Sequence, residues 1–277
     1  MLARSLRQRI LTALVLGPLV AAGILLLPTP YLALGLALVV GLAALEWTAL
    51  AGIETNRARA LYLMLVGLCL LLCWQPPVRG WLGLLLIAAS LWWCLIAVYL
   101  FRLGSIAPAS GPDLELIPAG VLVLVSPWVA MVQLHAADER GPLLVLFLMV
   151  LIWSADSAAY FTGRIWGRTK LAPVLSPGKT REGVYGALLA AAVCGGLLAW
   201  GGGLSIAGAL PVVLLCLLTA FVSVIGDLFE SLLKRRRGVK DSGRLLPGHG
   251  GVLDRIDSLT AAAPLCALGA SWLEIGL

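Results

Sequence analysis

The chain has 277 residues, of which 61% are hydrophobic and 12% charged, and its mean hydropathy is +1.00. A soluble domain has about 45–50% apolar and about 25% charged residues, so this composition excludes an ordinary soluble domain and indicates a polytopic membrane protein. The net charge of +6 does not indicate nucleic-acid binding, because the basic residues are confined to short loops. The six cysteines lie inside apolar runs without a CxxC pair, so we expect neither a disulfide framework nor a zinc site.

Apolar runs long enough to cross a bilayer recur along the whole chain. A transmembrane helix needs about 20 mostly apolar residues. The runs are continuous rather than alternating, which favours helices over barrel strands. We therefore predict an all-α polytopic integral membrane protein with about nine transmembrane helices. The candidate spans are residues 10–27, 31–52, 60–75, 81–101, 117–135, 143–163, 183–201, 206–230 and 257–276.

The basic residues predict the orientation of these spans. If the N-terminus is cytoplasmic and nine spans alternate, eighteen of the twenty Lys and Arg residues fall on the cytoplasmic side. The outer side then holds only Arg79 and Arg140. Cytoplasmic loops of membrane proteins are enriched in Lys and Arg, so we expect a cytoplasmic N-terminus.

Polar chemistry is unevenly distributed between two regions of the chain. We predict that residues 1–135 form N-terminal membrane helices with little polar chemistry and that residues 136–277 form a C-terminal catalytic membrane region. In the first region, Glu46 is either a functional intramembrane acid or a residue that reaches water at the end of its span. We expect His135 to be solvated in a loop, and residues 102–116 to be a linker.

The first polar cluster lies in the sixth span. Asp156 and Tyr160 are four residues apart, so they share one face of a helix. A carboxylate within a span is costly unless it is paired or bound to an ion. Two interpretations of Asp156 follow: an ion pair with a neighbouring helix, or binding of a metal or ligand.

The second cluster is the loop that precedes the seventh span. Pro177 and Gly178 indicate a turn, and Ser176, Lys179 and Thr180 lie just ahead of a helix N-terminus. Such an end offers unpaired N–H groups and a positive dipole to an anion. These residues therefore predict a phosphate site. The alternative is a basic loop at the lipid surface that only sets the topology.

The third cluster combines the end of the eighth span with the start of the ninth. Asp227, Glu230 and Lys234 have i, i+3, i+7 spacing and share one helix face. Asp254 and Asp257 are three residues apart as the ninth span begins. Paired carboxylates suit a hard cation such as Mg²⁺, which is commonly held by carboxylates together with substrate phosphates.

A basic, glycine-rich loop connects the two halves of this cluster. The basic run 234–237 either contacts phosphate or anchors the loop to anionic lipid head groups. Glycines on both sides of His249 permit close backbone approach to a ligand, although His249 could also be an ordinary turn residue. Together, the three clusters predict a site for a nucleotide triphosphate and a metal at the membrane surface.

The segment 231–257 has the pattern S-x-L-K-R-x4-K-D-x-G-x2-L-P-x-H-G-G-V-x-D-R-I-D. This pattern resembles the signature of phosphatidate cytidylyltransferases, also called CDP-diglyceride synthases. Residues 226–231 and 176–183, and the Asp156-x3-Tyr160 pair, are similar to further blocks of that family. The resemblance covers the chain from about residue 150. Arg181 departs from it, since family members often carry an aromatic residue or Val there.

The resemblance implies that CTP and phosphatidate react, with Mg²⁺ as cofactor, to give CDP-diacylglycerol and pyrophosphate. The number of cations stays open. Phosphatidate would enter from the inner leaflet of a bacterial inner (cytoplasmic) membrane, and the active site would face the cytoplasm. The resemblance implies a homodimer in contact with membrane lipid. We expect no nucleic-acid partner.

We assign three sets of roles on this basis. The residues expected to be catalytic are Asp227, Lys240, Asp241, His249, Asp254 and Arg255. Those expected to bind substrate or phosphate are Ser176, Lys179, Thr180, Glu230, Lys234 and Arg235. Those expected to bind metal are Asp156, Asp227, Asp254 and Asp257.

Two other functions remain open at this point. A CTP-dependent lipid kinase, such as a polyprenol kinase, would use the same nucleotide but transfer its γ-phosphoryl group. An ion-coupled transporter would use Asp156 and Asp227 for its ion. A transporter predicts polar residues on both sides of the membrane, whereas the outer loops here are short and nearly uncharged.

Overall fold

The computed structural model describes residues 17–243, 245 and 250–273. In these ranges the helices are α1 (Gly17–Leu26), α2 (Thr29–Leu50), α3 (Asn56–Trp74), α4 (Leu82–Arg102), α5 (Leu116–His135), α6 (Gly141–Trp166), α7 (Arg181–Gly201), α8 (Ile206–Arg236) and α9 (Leu253–Trp272). A 3₁₀ turn, Pro76–Trp81, precedes α4, and a small hairpin of β1 (Lys170–Ala172) and β2 (Ser176–Thr180) precedes α7.

Seven of the described helices, α2 to α8, are long and apolar enough to cross a membrane. Many of their large apolar side chains are exposed on the outer surface of the bundle, as lipid contact requires. The all-α polytopic prediction is therefore confirmed. The count of nine spans, which needs α1 and α9 as well, remains a prediction, and residues 10–16 of the first predicted span lie outside the described residues.

One end of the bundle is closed by the segment between α4 and α5. Asp113 of this segment pairs with Arg236 at the end of α8 at 2.8 Å. Arg237 then donates from Nε to the carbonyl oxygen of Leu50, the last residue of α2, at 2.7 Å. The prediction that residues 102–116 are a linker is confirmed, since the segment connects α4 to α5 without a helix or strand of its own, and the structure adds that it is docked against two helix ends.

The opposite end is closed around His135. The hydroxyl of Thr29 lies 2.9 Å from Nδ1 of His135, and Nε2 donates to the carbonyl oxygen of Ile24 at 2.9 Å. The expectation that His135 is solvated is wrong, since its side chain is buried. Its ring fastens the α1–α2 corner to α5 through partners more than a hundred residues away.

The hydrophobic core runs through α2 to α5 and continues into α8 and α9. Phe229 of α8 packs edge-on against Trp92 and Trp93 of α4, with ring centroids 5.2 and 5.6 Å apart. The described residues of the two predicted regions, 1–135 and 136–277, therefore contribute to one core. The N-terminal helices consequently support the C-terminal region that carries most of the polar chemistry.

Small residues let the C-terminal helices approach closely, as is common in membrane bundles. A Cβ atom on Gly226 of α8 would overlap the carbonyl oxygen of Asp257 in α9, and one on Gly183 of α7 would lie 2.9 Å from the carbonyl oxygen of Ala159 in α6. The close α8–α9 contact holds their polar side chains side by side.

Candidate active site

The hairpin reaches α8 through an ion pair. Nζ of Lys179 in β2 lies 2.7 Å from Oδ2 of Asp227, and both side chains remain partly exposed. The pair joins the second and third sequence clusters, which the chain separates by almost fifty residues. The prediction of a turn at Pro177 and Gly178 is wrong, because Ser176–Thr180 is a strand. Its pairing positions are Ser176 and Thr180, so the proline does not interrupt the ladder.

Thr180 caps the helix that follows the hairpin. Its hydroxyl oxygen accepts a hydrogen bond from the backbone N–H of Gly183 at 3.1 Å, and the side chain is buried. Thr180 is therefore the N-cap of α7. That Thr180 also binds substrate stays a prediction, as it does for Ser176, which is half-buried at the other end of the strand.

Lys234 lies between two carboxylates at the junction of α8 and α9. Its Nζ atom is 2.6 Å from Oδ1 of Asp254 and 3.3 Å from Oε2 of Glu230. The side chains of Lys234, Glu230 and Asp254 are only 14%, 4% and 6% exposed. The structure pairs Lys234 and Glu230 with each other, and their expected contacts with substrate stay a prediction.

Asp254 holds the loop that leads into α9. Its Oδ2 atom accepts hydrogen bonds from the backbone N–H of Ser242 at 2.9 Å, the hydroxyl of Ser242 at 3.0 Å and the N–H of Gly251 at 2.8 Å. Gly250 has a φ of 80°, a conformation that favours glycine, where the loop turns toward these donors. Lys234 contacts the other carboxylate oxygen, and the role of Asp254 as a metal ligand stays a prediction.

Asp227 faces a carboxyl group from each of two other helices. This residue of α8 lies close enough to Asp156 of α6 and to Asp257 of α9 for direct electrostatic interaction. Lys179 of β2 interacts with Asp156 and Asp257 as well as with Asp227. Three carboxyl groups from three helices thus lie around one lysine.

The donor set of Asp156, Asp227 and Asp257 consists of carboxylate oxygens and suits a hard cation such as Mg²⁺. Within the described ranges, no three acidic, His or Cys residues lie close enough to enclose an ion as they stand. A cation would therefore also need oxygens from another source, and phosphate groups of a substrate are the usual one for Mg²⁺.

Several other predicted residues are exposed around the segment that connects α8 to α9. Lys240, Asp241 and Arg255 are exposed on the loop and at the start of α9. Arg235 is also exposed, and its Nε atom lies 3.4 Å from the carbonyl oxygen of Leu175 at the hairpin tip. His249 lies outside the described residues.

Glu46 of α2 is a member of the site that the motifs did not include. Its side chain is buried and lies against the loop and the start of α9. Oε1 accepts from the N–H of Val252 at 2.9 Å, and Oε2 accepts from the N–H of Leu253 at 2.8 Å and the hydroxyl of Ser242 at 2.9 Å. The interpretation that Glu46 simply reaches water is wrong. The one available signal was an acid within an apolar span.

A family model described as the cytidylyltransferase family matches residues 7–272. The chain belongs to the cytidylyltransferase family. Its similarity to members of this family extends far beyond the signature in residues 231–257, because the match includes all of the helices described above.

Three relatives, each named phosphatidate cytidylyltransferase, illustrate the extent of the similarity. A protein from Pseudomonas aeruginosa is 42% identical over 265 residues, or 95% of this chain and 96% of the relative. One from Haemophilus influenzae is 38% identical over 280 residues, with 94% and 96% covered. One from Brucella suis is 40% identical over 283 residues, with 98% and 95% covered. The similarity to these three relatives therefore extends through the N-terminal half of the chain, where no motif of the family is recognised.

Proposed function

We propose that this protein is a phosphatidate cytidylyltransferase, which transfers the cytidylyl group of CTP to phosphatidate and releases pyrophosphate. The observation that carries the proposal is the ion pair between Lys179 and Asp227, which joins the hairpin to α8. It brings a predicted phosphate-binding strand to a group of carboxylates at a helix junction. Relatives that match at least 94% of this chain bear the same enzyme name.

The reaction brings two polyanions together, and the basic residues reduce the electrostatic repulsion between them. A phosphate oxygen of phosphatidate forms a bond to the α-phosphorus of CTP. The bond from that phosphorus to the oxygen bridging the β-phosphate breaks, and pyrophosphate leaves with the electron pair. The nucleophile is already an anion, so the step requires no general base. Lys179, Lys240 and Arg255 lower the repulsion between the substrates and stabilise the charge that develops on the leaving group.

Mg²⁺ is the cofactor that this proposal includes, with Asp156, Asp227 and Asp257 as the residues that would hold it. When bound, the ion would neutralise phosphate charge in the way that metal ions assist phosphoryl transfer. Asp254 also holds Ser242 and Gly251 through its hydrogen bonds. A second cation and a homodimer remain predictions.

The basic end of the bundle is proposed to face the cytoplasm of a bacterial inner membrane. Lys179, Arg181, Arg235 and Lys240 belong to this end, together with the docked segment 103–115, whereas Arg140 lies at the opposite end. The positive-inside rule then gives the orientation. Phosphatidate would reach the site laterally from the inner leaflet, with its acyl chains left among the lipid-facing helices.

Position-specific labelling of CTP tests this function against the lipid-kinase alternative. Purified protein in mixed micelles with phosphatidate and Mg²⁺ should incorporate label from α-³²P-CTP into lipid and release γ-³²P as pyrophosphate. Transfer of γ-label to lipid, with CDP as coproduct, would identify a kinase instead. Absence of both products, together with cation flux in proteoliposomes, would favour a transporter.

An aspartate pair provides the matched variants for this assay. Asp227→Asn should reduce turnover about 100-fold or more, the loss typical of removing an electrostatic group from a phosphoryl- or acyl-transfer site. Asp138→Asn is the control, because Asp138 is exposed at the opposite end and needs only an acceptor oxygen for the N–H of Arg140. Equal turnover in the two variants would contradict the site.

A further inference from the structure

The carboxylate of Glu46 serves as a cap for a helix from a distant part of the chain. Val252, the N-cap residue of α9, provides no side-chain hydrogen bond to the helix. The first N–H groups of a helix have no partner within it and carry its positive dipole end. Glu46 accepts from two of them, the N–H groups of Val252 and Leu253, although it precedes them by more than two hundred residues.

The loop is shaped around the same carboxylate. A Cβ atom on Gly243 or on Gly251 would overlap the carboxyl group of Glu46. Both glycines are fixed positions of the 231–257 pattern, and the contact supplies a physical reason for them. Since only glycine permits this approach, the loop and Glu46 form one packed unit.

A continuous series of hydrogen bonds leads from Glu46 to the lysine at the α8–α9 junction. The hydroxyl oxygen of Ser242 lies 2.9 Å from Oε2 of Glu46 and 3.0 Å from Oδ2 of Asp254. Asp254 in turn pairs with Lys234 at 2.6 Å. The hydroxyl has one hydrogen and donates to one carboxylate at a time, while the backbone N–H of Ser242 keeps its bond to Asp254.

The end of α2 that carries Glu46 is packed against two other helices. Trp47 is buried, and its indole N–H donates to the carbonyl oxygen of Leu116 in α5 at 2.7 Å. The same ring lies 6.3 Å, centroid to centroid, from that of Phe229 in α8. The last turns of α2 are therefore fixed to two neighbouring helices, and these contacts hold the backbone of Glu46 in place.

We infer that Glu46 is a positioning residue for the α8–α9 junction: it holds Ser242, Gly243 and the segment Gly251–Leu253 so that Asp254, Lys234 and Asp257 keep their mutual geometry during cytidylyl transfer. The kinetic part of this inference rests on the proposed function. The N-terminal region of the chain thereby contributes a residue on which the activity depends.

The test compares Glu46→Gln with Glu54→Gln. Glutamine keeps the size of Glu46 but points an NH₂ group at one of the N–H or O–H donors. Glu54 is exposed just beyond the end of α2 and receives the same change. Hydrogen exchange followed by mass spectrometry, on protein without substrate, should show faster exchange in the peptide containing Val252 and Leu253 for Glu46→Gln only.

Steady-state assays of Glu46→Gln should show a kcat about 10–100-fold lower than that of the wild type, the usual cost of removing a residue that orients groups of an active site. The KM for CTP should stay within about threefold of wild type.

Each result has a definite meaning. Unchanged exchange at residues 252 and 253, or faster exchange with normal kcat, would overturn the positioning role, while the wild-type protein would still make CDP-diacylglycerol. If the wild type itself makes none, the proposed function fails and the exchange data alone judge whether Glu46 holds the loop. If Glu46→Gln does not fold, Ser242→Ala replaces it, because that variant removes the hydroxyl between Glu46 and Asp254 and should lower kcat at constant KM. Normal kcat in Ser242→Ala would then overturn the inference.

Discussion

Replacing Lys234 by methionine removes the ammonium group that two buried carboxylates share and preserves most of the side-chain length. Oδ1 of Asp254 and Oε2 of Glu230 lie 2.6 and 3.3 Å from Nζ. With 14%, 4% and 6% exposure for the lysine, the glutamate and the aspartate, water cannot replace the lost cation well. We therefore expect a large loss of stability rather than a surface effect.

The magnitude follows from how the two acids are otherwise supported. Breaking a buried ion pair by removing one partner costs about 3–5 kcal/mol. Asp254 retains three hydrogen bonds from Ser242 and Gly251, so Glu230 bears most of the cost. The expected loss is thus near the lower limit, about 3 kcal/mol, or about a 100-fold change in the folding equilibrium. A second change, Glu230→Gln, should restore about 1–2 kcal/mol, as coupled neighbours do.

Reversible unfolding in mixed SDS micelles, followed by the fluorescence of the ten tryptophans, measures this loss. Lys170→Met is the matched control, since the Lys170 side chain is exposed in β1, and it should change stability by less than about 0.5 kcal/mol. A loss below about 1 kcal/mol for Lys234→Met, or no coupling to Glu230, would refute the reasoning that the junction depends on this lysine.

Two further stability predictions concern helix contacts. Gly226→Ala should cost about 1–3 kcal/mol, because the new Cβ overlaps the carbonyl oxygen of Asp257 and separates α8 from α9. Gly196→Ala, in α7 with open space around the new atom, should be neutral or stabilising in the same unfolding assay; equal losses would contradict the packing argument. Thr180→Ala should cost about 1 kcal/mol by removing the N-cap of α7, whereas Thr180→Ser should recover most of it, and failure of serine to do so would argue against capping.

The sequence predicts correctly those features of the protein that depend on composition or on a local pattern of residues. Helices α2 to α8 follow from apolar runs of membrane length, and their ends lie within a few residues of the predicted ones, except that α8 continues beyond residue 230 to Arg236. Thr180 was correctly predicted to lie just ahead of a helix N-terminus. The family prediction is confirmed, because a signature of fixed residues in 231–257 is far more specific than any single spacing.

Several residues with predicted substrate roles have partners inside the protein that the sequence does not reveal. Thr180, Glu230 and Lys234 each contact another group of the chain, and their contacts with substrate stay predictions. A motif records that a residue type is required at a position, whether for binding substrate or for holding the residues that bind it. His135 and Glu46 were misjudged for a related reason: a buried polar residue is recognised by its partners, and theirs lie more than a hundred residues away.

The sequence by itself determined that this protein is a helical membrane protein with its charge collected in a few loops, and that it resembles cytidylyltransferases. Those properties depend on composition, on helix period and on local pattern, which are readable in one dimension. Only the tertiary structure decided which acids face a lysine, which face one another, and that α2 supplies the carboxylate that caps α9. Such pairings depend on which helices touch and at what height, because the cost of a buried charge is set by neighbours that the chain order does not specify.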